Sequence, residues 1–170
     1  VLGTFPNNPA QSKGGTLLDF STEPPQTTWF DLPAPTITPL QAISDHSGDL
    51  LFYTNGCDIF NRQHRQMANG DAVNQGDIYE RFCLEDFLGY PAGQGRVILP
   101  FPQRSNSYYV VYISINENTL RSDRLLYVEV DMELDDGLGA VVQKNELVMR
   151  DTALQFLLCA VRHANGRDWW

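Results

Sequence analysis

Cysteine, histidine and carboxylate side chains are the groups of this sequence most able to do chemistry, and the cysteines are the most informative of them. Cys57 and Cys83 lie in polar, turn-rich segments. In an oxidising compartment they could form a disulfide bond, and in a reducing one they would remain free thiols, so their positions leave both alternatives open. Neither has the nearby histidine pair of a zinc motif. Cys159 lies in the apolar run of residues 156–161 and is predicted to be a small buried hydrophobic residue.

Two acidic segments contain the residue types that bind Ca²⁺. Residues 45–49 place two aspartates and a histidine around a Ser-Gly turn, and residues 131–136 carry four carboxylates. The first segment is also typical of a hairpin turn in which Asp and Ser cap their own backbone. The second lacks the sixth-position glycine and twelfth-position glutamate of an EF-hand loop. We therefore expect a self-capped hairpin turn at the first segment. At the second, alternation places Asp131, Glu133 and Asp135 on the solvated face of a strand. We predict no metal ligands and no cofactor.

A hydrolase triad is conceivable because Ser, His and Asp all occur, but the sequence has no Gly-x-Ser-x-Gly turn to expose a nucleophile. It also has no P-loop and no glycine-rich dinucleotide turn. His64 and His163 lie in or next to polar turns and are predicted to be hydrogen-bonding residues at the surface or in hairpins. We therefore predict no catalytic and no cofactor-binding residues in this chain.

Aromatic side chains offer a different chemistry, the stacking of sugar rings. The candidates are Tyr53, Tyr108, Tyr109, Trp169 and Trp170. Aromatic residues that begin strands more often pack between sheets, and that is the interpretation we favour here.

The elements that must position these side chains are predicted to be almost entirely β-strands. Apolar and aromatic runs alternate with Gly, Asn, Asp and Ser turns, which is the pattern of short antiparallel strands. Only residues 78–88 loosely fit a helical period, so one short helix or irregular loop is expected there. The predicted strands lie at residues 16–20, 40–44, 50–54, 57–61, 96–100, 108–113, 125–132, 140–142 and 146–149.

A repeat organises these strands. A strand, a polar turn and an aromatic-rich strand recur three times, with the turns about 58 residues apart. Four short antiparallel strands per unit make a β-propeller blade. We therefore predict an all-β fold, a partial β-propeller of about two and a half four-stranded blades of a larger ring. Residues 1–36 would form an outer strand and a Pro-rich connection, 37–94 a first blade with a long loop, 95–153 a second blade, and 154–170 the truncated start of a third.

The last residues strengthen the expectation of a fragment. Asn165 and Gly166 are the pair that favours a two-residue type I′ hairpin turn. The second arm of this hairpin stops at Trp169 and Trp170, and an unpaired strand edge with two exposed tryptophans would be an aggregation hazard. The sequence is therefore expected to belong to a longer protein.

Composition narrows the class of partner. The chain has 170 residues, of which 42% are hydrophobic, and a formal net charge of −9, so a core can form and a nucleic-acid partner is not expected. No run of about 18 apolar residues is present, so no membrane insertion is expected. No signal peptide begins this stretch.

Several motifs resemble a known family. The segments are LLFYTNG at residues 50–56, IFNRQHRQMANG at 59–70, GYPAG at 89–93, VDMELDDGLGAV at 130–141 and AVRHANGRDWW at 160–170. Together they resemble the WD40-like β-propeller region of large bacterial cell-surface proteins exported by the type IX secretion system, many of which carry gliding-motility-associated domains. Residues 71–88 depart most from the family pattern.

The resemblance implies an extracellular or outer-membrane surface location, a signal peptide upstream, further blades and a sorting domain. Secretion also favours a Cys57–Cys83 disulfide. The family has no agreed catalytic residues, so the resemblance implies a location and an architecture more than a reaction.

The predicted function is a non-catalytic propeller module for adhesion, scaffolding or extracellular filament assembly, which binds protein or glycan through its loop faces. It would also contact the remaining blades of the same protein or a neighbouring chain, for example at the open edge at Trp169 and Trp170. The alternative is a fragment of a propeller-type glycan or peptide hydrolase or lyase whose catalytic residues lie on absent blades. The candidate inner strands favour the first function, because they carry the apolar residues Ala42, Ile43, Ile98, Leu99 and Leu158.

Overall fold

The computed structural model describes residues 2–3, 14–33, 38–86, 88–151 and 157–170, which form three antiparallel sheets. The first sheet has the order β1-β2-β3, with β1 at Leu2–Gly3, β2 at Gly14–Asp19 and β3 at Gln26–Asp31. The second has the order β4-β5-β6, with β4 at Gln41–Ser44, β5 at Leu50–Thr54 and β6 at Ile59–Asn61. The third, called the large sheet below, joins β7 at Arg96–Pro100, β8 at Ser107–Asn116, β9 at Arg121–Asp131 and β10 at Ala140–Arg150 in chain order. The all-β prediction is confirmed.

The large sheet shows the two-residue period expected of a strand. Val128 and Val130 of β9 are fully buried, whereas Tyr127 and Glu129, which alternate with them, are only half-buried. Cross-strand partners share a face, so Val110 of β8, which pairs with Val128, is buried on the same side. One face of this sheet therefore belongs to a core and the other is less covered.

β10 differs from its prediction. Residues 140–142 and 146–149 were expected to be separate strands. They are parts of one strand with three register shifts against β9. Asn145 has a φ of +60°, and asparagine tolerates this left-handed conformation, so the chain bulges there and then rejoins the same partner strand.

The three sheets are stacked in chain order around two apolar interfaces. In β5, Phe52 and Tyr53 point to opposite faces, as neighbouring residues of a strand do. Phe52 packs with residues of the large sheet, and Tyr53 packs with Phe30 and Leu32 of the first sheet region. The second sheet is therefore covered on both faces. The larger interface comprises Phe52, Ile59, Met67, Val73, Val110, Tyr112, Leu126, Val128, Val130, Met132 and Val141.

The first sheet is more extensive than predicted. A single outer strand was expected before residue 37, and the described part of this region contains three paired strands. Gly14 and Gly15 open β2 directly beneath the rings of Trp29 and Phe30, where a Cβ atom would collide with those rings. Two glycines are poor strand formers by propensity, and their pairing depends on aromatic rings in β3 that the local sequence does not show.

A helical segment overlaps the predicted range of residues 78–88. Helix α1 spans Asp77–Tyr79 and continues as a π-helical turn at Glu80–Glu85. Ile78 and Tyr79 are buried against the large sheet residues Ile113 and Ile115. No helix among the described residues is long and apolar enough to cross a membrane.

The C-terminal residues form the predicted hairpin with a different turn. Val161 and Trp170 exchange backbone hydrogen bonds of 3.1 and 2.9 Å, and His163 N donates to Asp168 O at 2.8 Å. A type I′ turn needs two residues with positive φ, and of the predicted pair only Gly166 has one, at +72°. The loop is therefore longer than two residues, and the Asn-Gly turn prediction is wrong in type.

Cys159 is also placed differently from its prediction. It is a free, exposed cysteine rather than a buried one. Residues 157–161 run beside residue 94 as an edge segment, with Leu158 N donating to Gln94 O at 2.7 Å. Alternate residues of this segment face outward, and Cys159 is one of them. An apolar run alone does not reveal whether a strand lies at an edge.

Candidate interaction surfaces

The Cys57–Cys83 disulfide is the first feature that fixes the loop region. It is present in the structure with a Cα–Cα distance of 5.8 Å. It joins the turn after β5 to the π-helical segment. Cys57 is buried with Tyr90 and Ile113 of the large-sheet side, so the bond is part of a packed cluster rather than an exposed tether. Asn55 Oδ1 holds the same turn by accepting hydrogen bonds from the backbone N of Cys57 and of Asp58, both at 2.9 Å.

A second set of contacts ties the loop after β6 to β10. Asn145 Oδ1 accepts hydrogen bonds of 2.7 Å from Asn74 N and from the Tyr112 hydroxyl, and its Nδ2 donates to Ala72 O at 3.0 Å. Lys144 Nζ donates to Asp71 Oδ1 at 3.0 Å, which lowers the pKa of that carboxyl. Lys144 and Asn145, at the positive-φ bulge of β10, therefore hold this loop against the large sheet through side-chain hydrogen bonds.

The less covered face of the large sheet is an apolar surface that the described residues leave partly accessible. We call it the outer face and define it by Val97, Leu99, Tyr109, Val111 and Tyr127, which are all half-buried. Their cross-strand pairing places them side by side, with Val97 opposite Val111 and Val111 opposite Tyr127. The rings of Tyr109 and Tyr127 meet edge to face at a centroid distance of 5.3 Å.

The outer face ends at a charged border. Arg104 lies over the Phe101 ring at 3.8 Å and donates to Glu129 Oε1 at 2.6 Å. An apolar patch with a polar rim is the arrangement found at protein–protein interfaces and at sheet–sheet packing surfaces.

A cleft lies where β4, β7 and residues 158–160 meet, and we call it the edge cleft. Its volume is about 490 Å³, and it is lined by Pro39, Gln41, Gly93, Gln94, Arg96, Val97, Ile98, Leu99, Leu158, Cys159, Ala160 and Trp169. It therefore combines apolar residues of the predicted inner strands with two amides, one guanidinium and one indole.

Arg96 is the charged group of this cleft and is only 3% exposed. Its Nη2 donates to Thr38 Oγ1 at 3.1 Å and to Pro39 O at 2.9 Å. Burial lowers the pKa of Arg96 to about 10, because the charged form loses its hydration.

A smaller polar cleft lies between the segment before α1 and the β8–β9 turn, and its volume is about 210 Å³. It is lined by Asn74, Gln75, Gly76, Asp77, Ile78, Tyr90, Ser114, Ile115, Asn116, Glu117, Asn118 and Arg124. The pKa of Glu117 is raised, first by a hydrogen bond with Asp77. Tyr90 closes the cleft floor, where its hydroxyl accepts a hydrogen bond from Ile115 N at 2.9 Å.

The acidic segments from the sequence analysis form turns in the structure. Asp45 Oδ1 accepts hydrogen bonds from Ser47 N at 2.8 Å and Asp49 N at 3.0 Å, which is the self-capped turn that we favoured. Asp131 Oδ1 accepts one from Glu133 N at 2.9 Å. The prediction that Asp131, Glu133 and Asp135 lie on one face of a strand is therefore wrong, because β9 ends at Asp131 and the chain turns there. Within the described ranges, no group of three or more His, Cys, Asp or Glu could hold a metal ion.

The two histidines that were predicted to form hydrogen bonds each contact neighbouring groups. His163 Nδ1 accepts a hydrogen bond from Asn165 N at 3.1 Å in the terminal hairpin. His64 stacks on Phe30 at 3.9 Å and lies 3.3 Å from the Tyr53 hydroxyl, and burial lowers its pKa. His64 therefore joins the interface between the first two sheets.

The aromatic residues divide between packing and exposure. Tyr53 is fully buried, and Tyr108 packs edge to face on Phe52 at 5.6 Å. Trp169 is half-buried beside the edge cleft, and Trp170 is 79% exposed. The packing prediction therefore holds for Tyr53 and Tyr108 and fails for Trp170.

Sequence reasoning missed Arg96 and Asn145. The signal for Arg96 was available, since an arginine opens the otherwise apolar strand RVILP and so begins in a buried position. Asn145 gave no comparable signal, because its partners lie more than 30 residues away in the chain.

In comparisons with protein-family models, curated proteins and solved structures, the chain matches none of them. Function must therefore be argued from the surfaces described above.

Proposed function

We propose that this chain forms consecutive blades of a β-propeller in a secreted cell-surface protein, where it acts as a non-catalytic module for adhesion, scaffolding or extracellular filament assembly. Its partners would be protein or glycan at the loop faces, and further blades or a neighbouring chain at the sheet faces.

The arrangement of strand edges is the observation that supports this proposal most strongly. In the second sheet and in the large sheet, the first strand along the chain lies at one edge and the later strands follow in order. These two first strands, β4 and β7, lie beside each other. The next segment then pairs in parallel fashion, through Leu157, with Gln94 just before β7. Successive blades of a propeller repeat such a pattern around a central channel.

Sheet stacking supports the same architecture. Each of the two apolar interfaces in the chain forms between consecutive sheets. The outer face of the large sheet has the composition of a third such interface. At the opposite end of the stack, Trp29 and Leu18 are 57% and 38% exposed on the first sheet. A further blade or a neighbouring chain would cover each of these end faces.

The disulfide supports an extracellular location. Disulfides persist in oxidising compartments and are rare in the cytosol. The Cys57–Cys83 bond closes a loop whose ends are 26 residues apart, and the chain-entropy model gives about 3.5 kcal/mol for a loop of that size. The Cys57–Cys83 bond would stabilise the fold only in a compartment where it stays oxidised.

One histidine that a hydrolase triad could have used is engaged within its own turn. His163 Nδ1 accepts a hydrogen bond from Asn165 N at 3.1 Å, which uses the lone pair that a general base would need for substrate. This contact supports a non-catalytic role for His163.

The proposal is tested by assaying the full-length protein against a panel of glycan and peptide substrates, because the alternative places the catalytic residues on further blades. We expect product formation no faster than in a blank without protein. Turnover by the full-length protein would overturn the non-catalytic role in favour of a hydrolase or lyase, and Asp77→Asn and Glu117→Gln variants would then show whether the polar cleft of this chain takes part. An Asp135→Asn variant serves as the control, because Asp135 lies in an exposed turn away from both clefts.

A further inference from the structure

The sequence from residue 14 to residue 61 carries negative charge that no basic side chain of that stretch offsets. It contains six acidic residues and no lysine or arginine, and its one histidine is His46. The acidic residues are Asp19, Glu23, Asp31, Asp45, Asp49 and Asp58. None of them forms an ion pair with a residue that the structure describes. A partner that meets this region therefore gains by bringing positive charge.

A groove lies in this region between the β2–β3 turn and the β4–β5 turn, and we call it the turn groove. Its volume is about 540 Å³, and it is lined by residues 17–21, 44 and 47–50. This volume is in the range of sites that enclose a small ligand or a few side chains. Trp29 of the first-sheet end face does not border the groove. The groove therefore lies at the turns, where the proposed function places loop-face partners, rather than across the end face.

Exposed aromatic and acidic side chains lie together at the turn groove. Phe20 is 75% exposed, and the carboxylates of Asp19 and Asp49 are exposed beside it. Asp19 Oδ1 accepts a hydrogen bond of 2.8 Å from Ser21 N, which holds its carboxylate at the turn. The backbone N of Asp49 donates to Asp45 Oδ1 at 3.0 Å, so the second turn is held as well. A partner would therefore meet groups whose backbone is already fixed.

These groups indicate what kind of partner fits. A carboxylate pairs with lysine or arginine, and an aromatic ring attracts the same cations through its face. Exposed aromatic residues also contribute apolar contact area to a protein partner. A neutral sugar could stack on Phe20, but it would leave the charge of Asp19 and Asp49 without a counter-charge. A basic protein segment with apolar residues matches all three side chains.

We propose that the turn groove binds a segment of a partner protein in which lysine or arginine lies next to apolar residues, with the positive charges on Asp19 and Asp49 and an apolar or cationic contact on Phe20. This inference deepens the protein-binding part of the proposed function and rests on it.

The test is a fluorescence anisotropy titration of the full-length protein with two labelled peptides. One is a short peptide of alternating lysine and leucine, and the other has glutamate in place of each lysine. The lysine peptide is expected to bind about tenfold or more tightly, because the glutamate peptide places like charges together in the groove. Raising the salt concentration is expected to weaken binding of the lysine peptide. Cellotriose, a neutral sugar, is expected not to displace it.

Variants locate the site. Asp19→Asn and Asp49→Asn are each expected to weaken binding of the lysine peptide about threefold, and Phe20→Ser about fivefold. An amide oxygen at position 19 can still accept from Ser21 N, so the turn is kept. The matched controls, Asp135→Asn and Leu134→Ser, change exposed residues after β9 and should leave binding unchanged. Circular dichroism checks folding, and where Phe20→Ser fails to fold, the aspartate variants against Asp135→Asn decide.

Three results would overturn the inference: equal affinity for the two peptides, the same weakening by Asp135→Asn as by the groove variants, or displacement by cellotriose that the aspartate variants do not affect. The last of these would assign the groove to a glycan. All three are separate from the results that test the proposed function. A protein without turnover that shows no preference for the lysine peptide would reject the turn groove alone.

Discussion

At the scale of single residues, Asn145 is the clearest case of a polar side chain that organises its surroundings. It is half-buried at a positive-φ bulge, and its amide serves two donors and one acceptor from three other parts of the chain. The loop after β6 therefore depends on one side chain for its position against the large sheet.

Replacing Asn145 with alanine should lower the free energy of unfolding by about 3 kcal/mol, because it leaves the Asn74 N–H and the Tyr112 hydroxyl without acceptors and places alanine in a left-handed conformation. Urea denaturation measures this loss. Asn118→Ala is the control, since Asn118 lies in an exposed turn, and it should change stability by no more than about 0.5 kcal/mol. A loss below about 1 kcal/mol for Asn145→Ala would contradict the inference that Asn145 holds the loop after β6 against the large sheet.

His64 should give the fold a specific pH dependence. Burial lowers the pKa of His64 below its ordinary 6.5, so the unfolded chain binds a proton more readily than the folded one. Its contribution to stability is therefore complete above about pH 6.5, the pKa of the unfolded state, and is lost as the pH falls through the lowered pKa of the folded state. His64→Asn removes the imidazole and tolerates the local φ of +59°. The difference in unfolding free energy between wild type and variant should shrink between pH 7.5 and pH 5, and a constant difference would refute this assignment.

The sequence revealed polar residues well where their partners are local, and poorly where the partners are distant. The capping role of Asp45 was predicted, because it accepts from backbone groups within four positions. Arg96 and Asn145 were not, since their partners are set by how the sheets pack. The burial of Cys159 was wrongly predicted for the same reason, because edge position is a tertiary property.

At the scale of elements, the strands with unbroken apolar or aromatic runs were predictable. β5 and β7 have the bounds 50–54 and 96–100 that their residue patterns indicate. β10 was predicted as two strands, because the local pattern does not show that the chain bulges at Asn145 and rejoins the same partner strand. The first sheet was reduced to one strand, because Gly14 and Gly15 have no side chains to form a pattern. In both cases the hydrogen-bonding partner strand decides the structure, not the local propensity.

The Cys57–Cys83 bond links two elements that share no strand pairing, so its loss should loosen the helical segment from the turn after β5. A Cys57→Ala/Cys83→Ala double variant should lose about 3.5 kcal/mol of unfolding free energy in the chain-entropy model. Cys159→Ser is the matched control and should be neutral, since Cys159 is free and exposed.

Thiol labelling provides an independent check of the same bond. In the native, unreduced chain, alkylation should modify one cysteine, Cys159. Modification of all three without reductant would show that Cys57 and Cys83 are free thiols and would remove the main support for an oxidising location.

At the scale of the whole molecule, three sheets are stacked with apolar interfaces between them, and the outer face continues the series. The outer face contains a row of side chains across three strands of the large sheet, formed by Val97, Val111 and Tyr127. These three residues are half-buried, whereas their neighbours on the opposite face, such as Val110 and Val128, are buried. The proposal of a propeller in a surface protein requires that another sheet covers this row and that the loops remain open to the medium.

The most direct test of that requirement is cysteine labelling with a membrane-impermeant maleimide, in a Cys159→Ser background, on intact cells that make the protein. Val111→Cys reports on the outer face, and Ser105→Cys reports on the exposed β7–β8 turn. We predict that Ser105→Cys is labelled on intact cells, whereas Val111→Cys is protected until the protein is denatured. Equal labelling at the two positions would contradict the covered face, and no labelling of Ser105→Cys on intact cells would contradict the surface location.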